Sequence, residues 1–219
     1  MIIAIDGPAG AGKSTVAKIL AKRLGFLYID TGAMYRALTL KTLETNTEIK
    51  NTAKIVELAA DSCIDLINNP DGTLKVLLDG RDVSRDIRQP VITQFVSDIA
   101  KIGEVRKIMV ELQRKLGRQG NAVLDGRDIG TVVFPDAEKK FYVDADFKER
   151  VSRRYKESTG LGQKVSFNDV SGDLANRDNI DSNRKIAPLK KADDAIYVDT
   201  TRLSIEEVVD RLLKEVSQK

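Results

Sequence analysis

The segment that most constrains the fold of this chain is a glycine-rich loop close to its start, with the sequence GPAGAGKS at residues 7–14. It matches the phosphate-binding pattern G-x-x-x-x-G-K-[ST]. An apolar run at residues 2–5 precedes the loop, and residues 14–24 place apolar side chains at helical spacing after it. The sequence therefore predicts a strand, a phosphate loop and a helix in succession, and a chance glycine turn is the weaker interpretation.

The chemistry of this loop follows from its backbone. Glycines let the chain turn tightly so that its N–H groups point at a phosphate, and the helix that follows adds the partial positive charge of its N-terminus. We expect Lys13 to reach the outer phosphates of a nucleoside triphosphate and Ser14 to bind the accompanying Mg²⁺. The residues expected to bind the triphosphate are Gly7, Pro8, Ala9, Gly10, Ala11, Gly12, Lys13, Ser14 and Thr15.

Further short apolar runs predict a parallel sheet around the loop. They lie at residues 26–29, 122–125, 141–144 and 195–199, and an aspartate ends or follows each of them. Helical patterns at residues 105–116, 147–155 and 205–216 alternate with these runs. Continuous apolar strands suit a sheet that is covered on both faces. We therefore expect an α/β fold with a doubly wound parallel sheet.

Two regions break this alternation. Residues 31–118 contain short apolar runs joined by turn-rich segments such as residues 69–72, which favours a small antiparallel insertion. Residues 156–188 are polar and contain three glycines, which favours a mobile flap with some helix. A chain of 219 residues is expected to form one folding unit. We divide it into a core at residues 1–30, 119–155 and 186–219, an insertion at 31–118 and a lid at 156–185.

The overall charge gives little reason to expect a polyanionic partner. There are 36 Lys and Arg residues against 33 Asp and Glu residues, so neither a nucleic acid nor a membrane is expected as a partner. The single cysteine, Cys63, allows no intrachain disulfide and fits a reducing compartment. The sequence shows neither the pattern of a signal peptide nor an apolar segment of membrane-spanning length. We expect a cytoplasmic monomer.

Charged residues beyond the expected strands predict a second anion site. Residues 30–36 (DTGAMYR) follow the second strand, where Arg36 could bind a phosphate. The alternative there is a helix cap followed by a solvated arginine. The tetrapeptide DGRD at residues 125–128 ends the third run, and we expect it at the same sheet edge. The same tetrapeptide also occurs earlier, at residues 79–82 within the antiparallel insertion, and we interpret that copy as a hairpin turn.

A group of charged residues also lies near the lid. Arg177, Asp181 and Arg184 are spaced by four and three residues, so they would share one face of a helix. An isolated charged helix is the alternative interpretation.

Taken together, these motifs resemble those of bacterial cytidylate kinases. The resemblance depends on the phosphate loop, on residues 30–36, on DGRDIGTVVFP at 125–135 and on RDNIDSNRKIAPL at 177–189, and it covers essentially the whole chain. The last two segments are far more specific than the phosphate loop. The resemblance implies a nucleoside monophosphate kinase fold, with the monophosphate bound by the insertion. It also implies transfer of the γ-phosphoryl group of ATP, with Mg²⁺, to CMP and dCMP.

The resemblance further implies roles for individual residues. Those that match the readers of the cytosine edge are Ser97, Arg106 and Asp128. Those that match the ribose contacts are Arg177 and Asp181. Those that match the surroundings of the acceptor phosphate are Thr31, Arg36, Arg127 and Arg184. Arg150 and Arg154 match the pair that contacts ATP. Surface charge is the alternative interpretation for either of them. The expected catalytic residues are Lys13, Arg127 and Arg184.

The residue types suit phosphoryl transfer to a phosphate. The sequence contains no histidine, and an acceptor that is already an anionic phosphate does not require a base, whereas an alcohol usually requires a carboxylate. Positioning and charge neutralisation would lower the barrier. Two alternatives remain open, because the phosphate loop is shared by several classes of protein. One is a small kinase for another monophosphate or for a metabolite such as shikimate, and the other is a nucleotide-regulated binding module that docks a partner protein.

Overall fold

A computed structural model of the chain describes residues 1–218 and contains two sheets. The strands are β1 (Ile2–Asp6), β2 (Leu27–Asp30), β3 (Ile64–Asn68), β4 (Leu74–Leu78), β5 (Arg81–Asp82), β6 (Ala122–Gly126), β7 (Lys139–Asp144) and β8 (Ile196–Asp199). The main sheet has the order β2-β6-β1-β7-β8, and all its neighbouring strands are parallel. The predicted parallel sheet is confirmed. Lys219, the last residue of the predicted core, lies outside the described residues.

Helices cover both faces of the main sheet. They are α1 (Lys13–Leu24), α2 (Thr31–Glu44), α3 (Thr52–Ala60), α4 (Pro90–Ala100), α5 (Gly103–Gly117), α6 (Phe147–Gly160), α7 (Phe167–Asn183) and α8 (Ile205–Ser217). Side chains alternate between the two faces along a strand. Ile3 and Ile5 of β1 accordingly lie in one buried cluster with α1 and α8, whereas Ala4 lies in another with α2 and α5. This two-sided cover is the doubly wound arrangement that the sequence predicts.

The end of α1 and the start of α2 are fixed by local chemistry. Gly25 ends α1 in the left-handed conformation, with φ 67°, and its N–H points at the carbonyls of Ala21 and Lys22, as is typical of a helix C-cap. Asp30 begins α2, because its side chain accepts a hydrogen bond of 2.8 Å from the backbone N–H of Ala33. Strand β2 therefore leads directly into a helix, whereas β1 reaches α1 through the phosphate loop.

The region at residues 31–118 contains the predicted antiparallel sheet, in the order β3-β4-β5. It also contains α2, α3 and α4, which the turn-rich sequence did not predict. The side chains of β3, β4 and α2 to α5 share one apolar cluster with β2 and β6 of the main sheet. The division into core, insertion and lid stays a prediction.

One side chain joins the β3–β4 hairpin to the free edge of the main sheet. The backbone N–H of Tyr28 in β2 donates to Asn68 Oδ1 at 3.0 Å, and Asn68 Nδ2 donates to the carbonyl of Tyr28 at 3.1 Å. The Asn68 amide thus bonds to β2 as a neighbouring strand would.

The polar segment at residues 156–188 is more helical than expected. Helix α7 begins with a capping box, in which Ser166 and Asp169 bond to each other's backbone N–H groups. Val170 and Leu174 bury the inner side of α7 against Ala9 of the phosphate loop. Within residues 1–218, no helix combines the length and apolarity needed to cross a membrane. Motion of the segment as a lid stays a prediction.

Candidate active site

A cleft of about 1190 Å³ lies at the carboxyl ends of β1, β2 and β6, where ligands bind in open α/β sheets. The phosphate loop forms one part of its wall, and the start of α2, the end of β6 and one side of α7 form the rest. Eight arginine side chains line it, which exceeds the number of lining carboxylates and favours an anionic ligand.

The phosphate loop connects β1 to α1, as the sequence predicts. A Cβ on Gly7 would lie 1.9 Å from the carbonyl oxygen of Val143, so only glycine fits where the loop leaves the sheet. Lys13 is buried and donates to the carbonyl of Pro8 at 2.6 Å. Burial lowers the pKa of Lys13, and repulsion from Arg127 lowers it further. A bound polyphosphate would reverse that repulsion, so the loop and its lysine are arranged for an anion.

Asp125 at the end of β6 is a residue of the site that sequence reasoning left without a role. Its Oδ2 accepts from the Ser14 hydroxyl at 2.9 Å, and its Oδ1 accepts from the Tyr28 hydroxyl at 2.8 Å. Burial raises the pKa of Asp125, and repulsion from Asp30 adds to the effect. The signal in the sequence was its place at a strand end, one residue before the glycine of DGRD.

The three residues that resemble cytosine readers come together. Arg106 donates to Asp128 Oδ2 at 2.5 Å and to the carbonyl of Ala100 at 3.0 Å. A second guanidinium, that of Arg184, lies 3.4 Å from Asp128 Oδ1. These side chains and Ser97 are buried, and all of them line the cleft. The sequence separations of 9 and 22 residues are closed because α4, α5 and the turn after β6 converge there.

Residues at the end of α7 contact the DGRD segment at residues 125–128 directly. Arg127 Nε donates to Asp181 Oδ2 at 2.9 Å, and Arg184 lies 3.6 Å from the other oxygen of Asp181. Arg177 and Asp181 are in α7, and Arg184 follows its last residue. Among residues 1–218, the buried Nε of Arg177 has no hydrogen-bond partner. The predicted helix contains Arg177 and Asp181, which lie one turn apart, whereas Arg184 lies just beyond its end.

Several arginines of the cleft lie close enough to lower one another's pKa values. Arg36 donates to Thr93 Oγ1 at 2.9 Å, and Arg154 approaches the same oxygen at 3.5 Å. Burial lowers the pKa of Arg36 to about 9, with further repulsion from Arg177 and Arg154. Burial likewise lowers the pKa of Arg177 to about 10, with repulsion from Arg127 as the next cause. Groups that repel each other in this way are typical of a phosphate site.

Thr31, which lines the cleft, and Arg150 both use their side chains to bond to backbone carbonyls. The Thr31 hydroxyl donates to the backbone carbonyl of Asp125 at 2.7 Å, so it fixes α2 to β6. Arg150 is buried and donates to the carbonyl of Ala9 at 2.9 Å and to Asp178 at 2.5 Å. A direct contact of either residue with a nucleotide stays a prediction.

Arg153 is a cleft residue that sequence reasoning missed. It lies between Arg150 and Arg154 in α6, and it donates to the carbonyl of Thr200 at 2.7 Å. Neither its spacing nor its neighbours distinguished it from a solvated arginine of the same helix. Arg154 lines the cleft as predicted.

A parallel α/β sheet whose phosphate loop opens into an arginine-lined cleft defines the class of P-loop kinases. The family model described as cytidylate kinase matches residues 3–218. The chain is 53% identical to the cytidylate kinase of Caldanaerobacter subterraneus subsp. tengcongensis, over 98% of this chain and 93% of that protein. It is 48% identical to the cytidylate kinase of Bacillus subtilis, over 99% and 96%. The chain belongs to the cytidylate kinase family of nucleoside monophosphate kinases.

Solved structures with low sequence identity share the fold. An uncharacterized protein from Eubacterium ventriosum has a TM-score of 0.57 at 14% identity, with 100% of this chain and 99% of that chain covered. Shikimate kinase from Bacteroides thetaiotaomicron has a TM-score of 0.51 at 12% identity, with the same coverage of each chain. These likenesses support the α/β architecture and carry nothing about the acceptor.

Proposed function

We propose that this protein transfers the γ-phosphoryl group of ATP to CMP, and to dCMP, giving ADP and CDP or dCDP. The observation that carries the choice of acceptor is the buried group of Ser97, Arg106 and Asp128 in the same cleft as the phosphate loop. The relatives named as cytidylate kinases support the same choice. A cytoplasmic monomer stays a prediction.

The donor triphosphate would bind along residues 7–15. Backbone N–H groups of the loop and the first turn of α1 would surround its phosphates, and Lys13 would neutralise charge on them. Ser14 Oγ and Asp125 Oδ2, which are 2.9 Å apart, are hard oxygen ligands that fit Mg²⁺ together with phosphate oxygens. Among the described residues there is no cluster of three acidic, His or Cys side chains, which suits an ion that takes much of its coordination from substrate and water. When bound, Mg²⁺ would neutralise charge on the phosphates.

The base would lie against Ser97, Arg106 and Asp128. Cytosine offers an amino donor at N4 and acceptors at N3 and O2, so a carboxylate and a guanidinium form a matched set. Arg106 occupies Asp128 Oδ2, and the longer approach of Arg184 leaves Oδ1 better able to accept from N4. Uracil places O4 and N3–H at these positions, so it would leave acceptors facing acceptors and donors facing donors.

The arginines around the cleft would bind the acceptor phosphate and the ribose. Arg36, Arg127 and Arg184 supply the charge for the phosphate, while Arg177 and Asp181 face the sugar. In the reaction, a phosphate oxygen of CMP attacks the γ-phosphorus of ATP, a new P–O bond forms, and the bond to the β–γ bridging oxygen breaks. Lys13, Arg127 and Arg184 would stabilise the charge on the transferring group, and ADP leaves with the bridging oxygen.

A coupled assay with ATP, Mg²⁺ and each of CMP, dCMP, UMP, AMP and GMP tests the proposal. We expect CMP or dCMP to give the highest kcat/KM. A purine nucleotide as the best acceptor, or tight triphosphate binding without transfer, would contradict the proposal. The Lys13→Ala variant, checked for an intact fold by circular dichroism, is expected to lose activity by about 10²–10³-fold, because it removes a group that stabilises the transition state.

A further inference from the structure

Asp178 makes a direct contact between the lid helix and the phosphate loop. It lies in α7, and its Oδ1 accepts from the backbone N–H of Ala9 at 3.2 Å. Its Oδ2 accepts from Arg150 at 2.5 Å. The carboxylate therefore joins three elements, namely the phosphate loop, α6 and α7.

Arg150 completes this contact from the other side of Ala9. Its guanidinium donates to the carbonyl of Ala9 at 2.9 Å and to the carbonyl of Ala145 at 3.1 Å. The N–H and the carbonyl of Ala9 are thus both bonded to charged side chains. Because hydrogen bonds to charged groups are stronger than neutral ones, this residue of the loop is firmly positioned by Asp178 and Arg150.

The same stretch of α7 carries residues of the acceptor part of the cleft. Arg177 precedes Asp178, and Asp181 follows it by three residues, so the three Cα atoms lie within about 6 Å along the helix axis at 1.5 Å per residue. Asp181 in turn pairs with Arg127. A short rigid segment therefore contacts the donor loop with one residue and the acceptor part of the cleft with its neighbours.

We propose that Asp178 is a positioning residue that couples donor binding to acceptor binding. The proposal depends on the proposed function for the identity of the two ligands. A triphosphate that orders the phosphate loop stabilises the loop's contact with Asp178, and this contact places Arg177 and Asp181 toward the acceptor. By linkage the effect is reciprocal, so a bound acceptor raises the affinity for the donor by the same factor.

The test is the affinity for the acceptor with and without bound donor. The acceptor is the best substrate of the five-nucleotide assay, so the outcome does not depend on its being CMP. Its Kd is measured by titration calorimetry, alone and with saturating β,γ-imido-ATP and Mg²⁺. For the wild type we expect the donor analogue to tighten acceptor binding at least about fivefold, the lower end of common coupling factors.

In the Asp178→Asn variant, the ratio of the acceptor Kd values without and with the donor analogue should be close to one. The amide keeps the size of the side chain but replaces one acceptor oxygen with a donor, so it opposes either Ala9 or Arg150. The matched control is Asp173→Asn, an exposed carboxylate of the same helix, which should keep the wild-type factor. Asp178→Glu should recover part of the coupling, which a general loss of packing would not allow.

Three results would overturn the proposal. These are a wild type without coupling, an Asp178→Asn variant with the wild-type factor, and an Asp173→Asn variant that loses coupling equally. If thermal unfolding shows that Asp178→Asn does not fold, Arg150→Lys serves in its place, since it keeps the charge and gives up the forked contacts to Ala9 and Asp178. Unchanged coupling in that variant would contradict the proposal in the same way.

Discussion

The tetrapeptide Asp-Gly-Arg-Asp occurs twice in this chain, and its two copies have nothing in common except their sequence. The copy at residues 79–82 turns the chain between β4 and β5, with Asp79 and Gly80 in the left-handed region at φ 51° and 81°. The copy at residues 125–128 ends β6, a strand whose five residues are all buried. The prediction that the first copy is a hairpin turn is confirmed.

The side chains of the two copies differ as much as their backbones. The Arg81 side chain is 53% exposed and bonds to Glu44 at the surface, whereas that of Arg127 is 19% exposed and bonds to Asp181. The last aspartate is 50% exposed in the first copy and 7% exposed in the second. The comparison teaches that the element before the motif decides its role: a hairpin strand presents it to solvent, and a central parallel strand delivers it to the cleft.

The arginines of the two copies provide the sharpest contrast. Arg127→Ala removes a half-buried guanidinium that we propose stabilises the transferring phosphoryl group, so we expect kcat/KM for CMP to fall by about 10²–10³-fold. Arg81→Ala removes an exposed ion pair, and exposed pairs contribute little, so its kcat/KM should match the wild type. Steady-state kinetics of both variants, with circular dichroism as the check on folding, measure the difference. Equal losses in the two variants would mean that the copies do not differ in function.

Substitutions of the last aspartate in each copy, Asp128 and Asp82, test base recognition. Asp128→Ala should reduce the preference for CMP over UMP, because it removes the carboxylate that we propose accepts from N4 of cytosine and opposes O4 of uracil. One or two unpaired groups at about 1–3 kcal/mol each correspond to roughly a tenfold to hundredfold change in the ratio of kcat/KM values. Asp82→Ala, the matched exposed position, should leave the ratio unchanged. An unaltered ratio in Asp128→Ala would refute its role as a reader of the base.

The two residues that follow the second copy bond to a buried carboxylate, that of Asp6. Asp6 accepts hydrogen bonds of 2.8 Å from the N–H groups of both Ile129 and Gly130. Burial raises the pKa of Asp6 from 3.8 to about 6, even though those bonds lower it. The folded protein thus binds this proton more tightly than the unfolded chain, so the contribution of Asp6 to stability is largest below about pH 4 and decreases as the pH rises through 6.

Comparison of the wild type with Asp6→Asn isolates this effect. From pH 4 to pH 7, the free energy of unfolding of the wild type should fall relative to that of the variant by about 2 kcal/mol, most of the full effect at 1.4 kcal/mol for each unit of pKa shift. Urea unfolding at several pH values measures it. A difference that is independent of pH, or one that changes in the opposite direction, would contradict the inferred titration.

Substitution of the glycine in each copy should give the smallest effects, and the loss of stability should have a different cause in each. Gly80→Ala forces a side chain into the left-handed conformation, which should cost about 1 kcal/mol of stability and leave activity unchanged. Gly126→Ala places a Cβ 2.7 Å from Ile129 Cδ1 and 2.8 Å from Thr31 Oγ1, so overpacking should cost about 1–3 kcal/mol and also lower activity. Chemical unfolding measures the loss of stability in each variant, and the kinase assay shows whether activity falls in Gly126→Ala alone. A stable and fully active Gly126→Ala would show that the space beside β6 is not needed.

Sequence alone predicts the contiguous parts of the molecule best. The phosphate loop, the parallel strands and α1 are encoded in local patterns, and all of them are confirmed. Helix α2 was missed because it is buried around most of its circumference and has no polar stripe to reveal a period. Helix α4 begins at Pro90, a signal for a first helical turn that the turn-rich surroundings concealed.

The noncontiguous parts of the site required more than pattern. Ser97, Arg106 and Asp128 were linked only by family resemblance, since no spacing rule connects residues on different elements. Asp125 and Arg153 have roles that depend on Ser14 and Thr200, which lie 111 and 47 residues away from them. Only folding brings such pairs together, so their contribution is visible in the structure and not in the sequence.

The amide of Asn68 has a consequence for how the protein behaves at high concentration. An uncovered edge of a sheet is a template on which another chain can add a strand, and this is a common route to aggregation. By bonding to both the N–H and the carbonyl of Tyr28, Asn68 occupies the groups at the edge of β2 that an incoming strand would use. This side chain thus makes the β2 edge a poorer template for a second molecule, while β8 forms the other edge of the sheet.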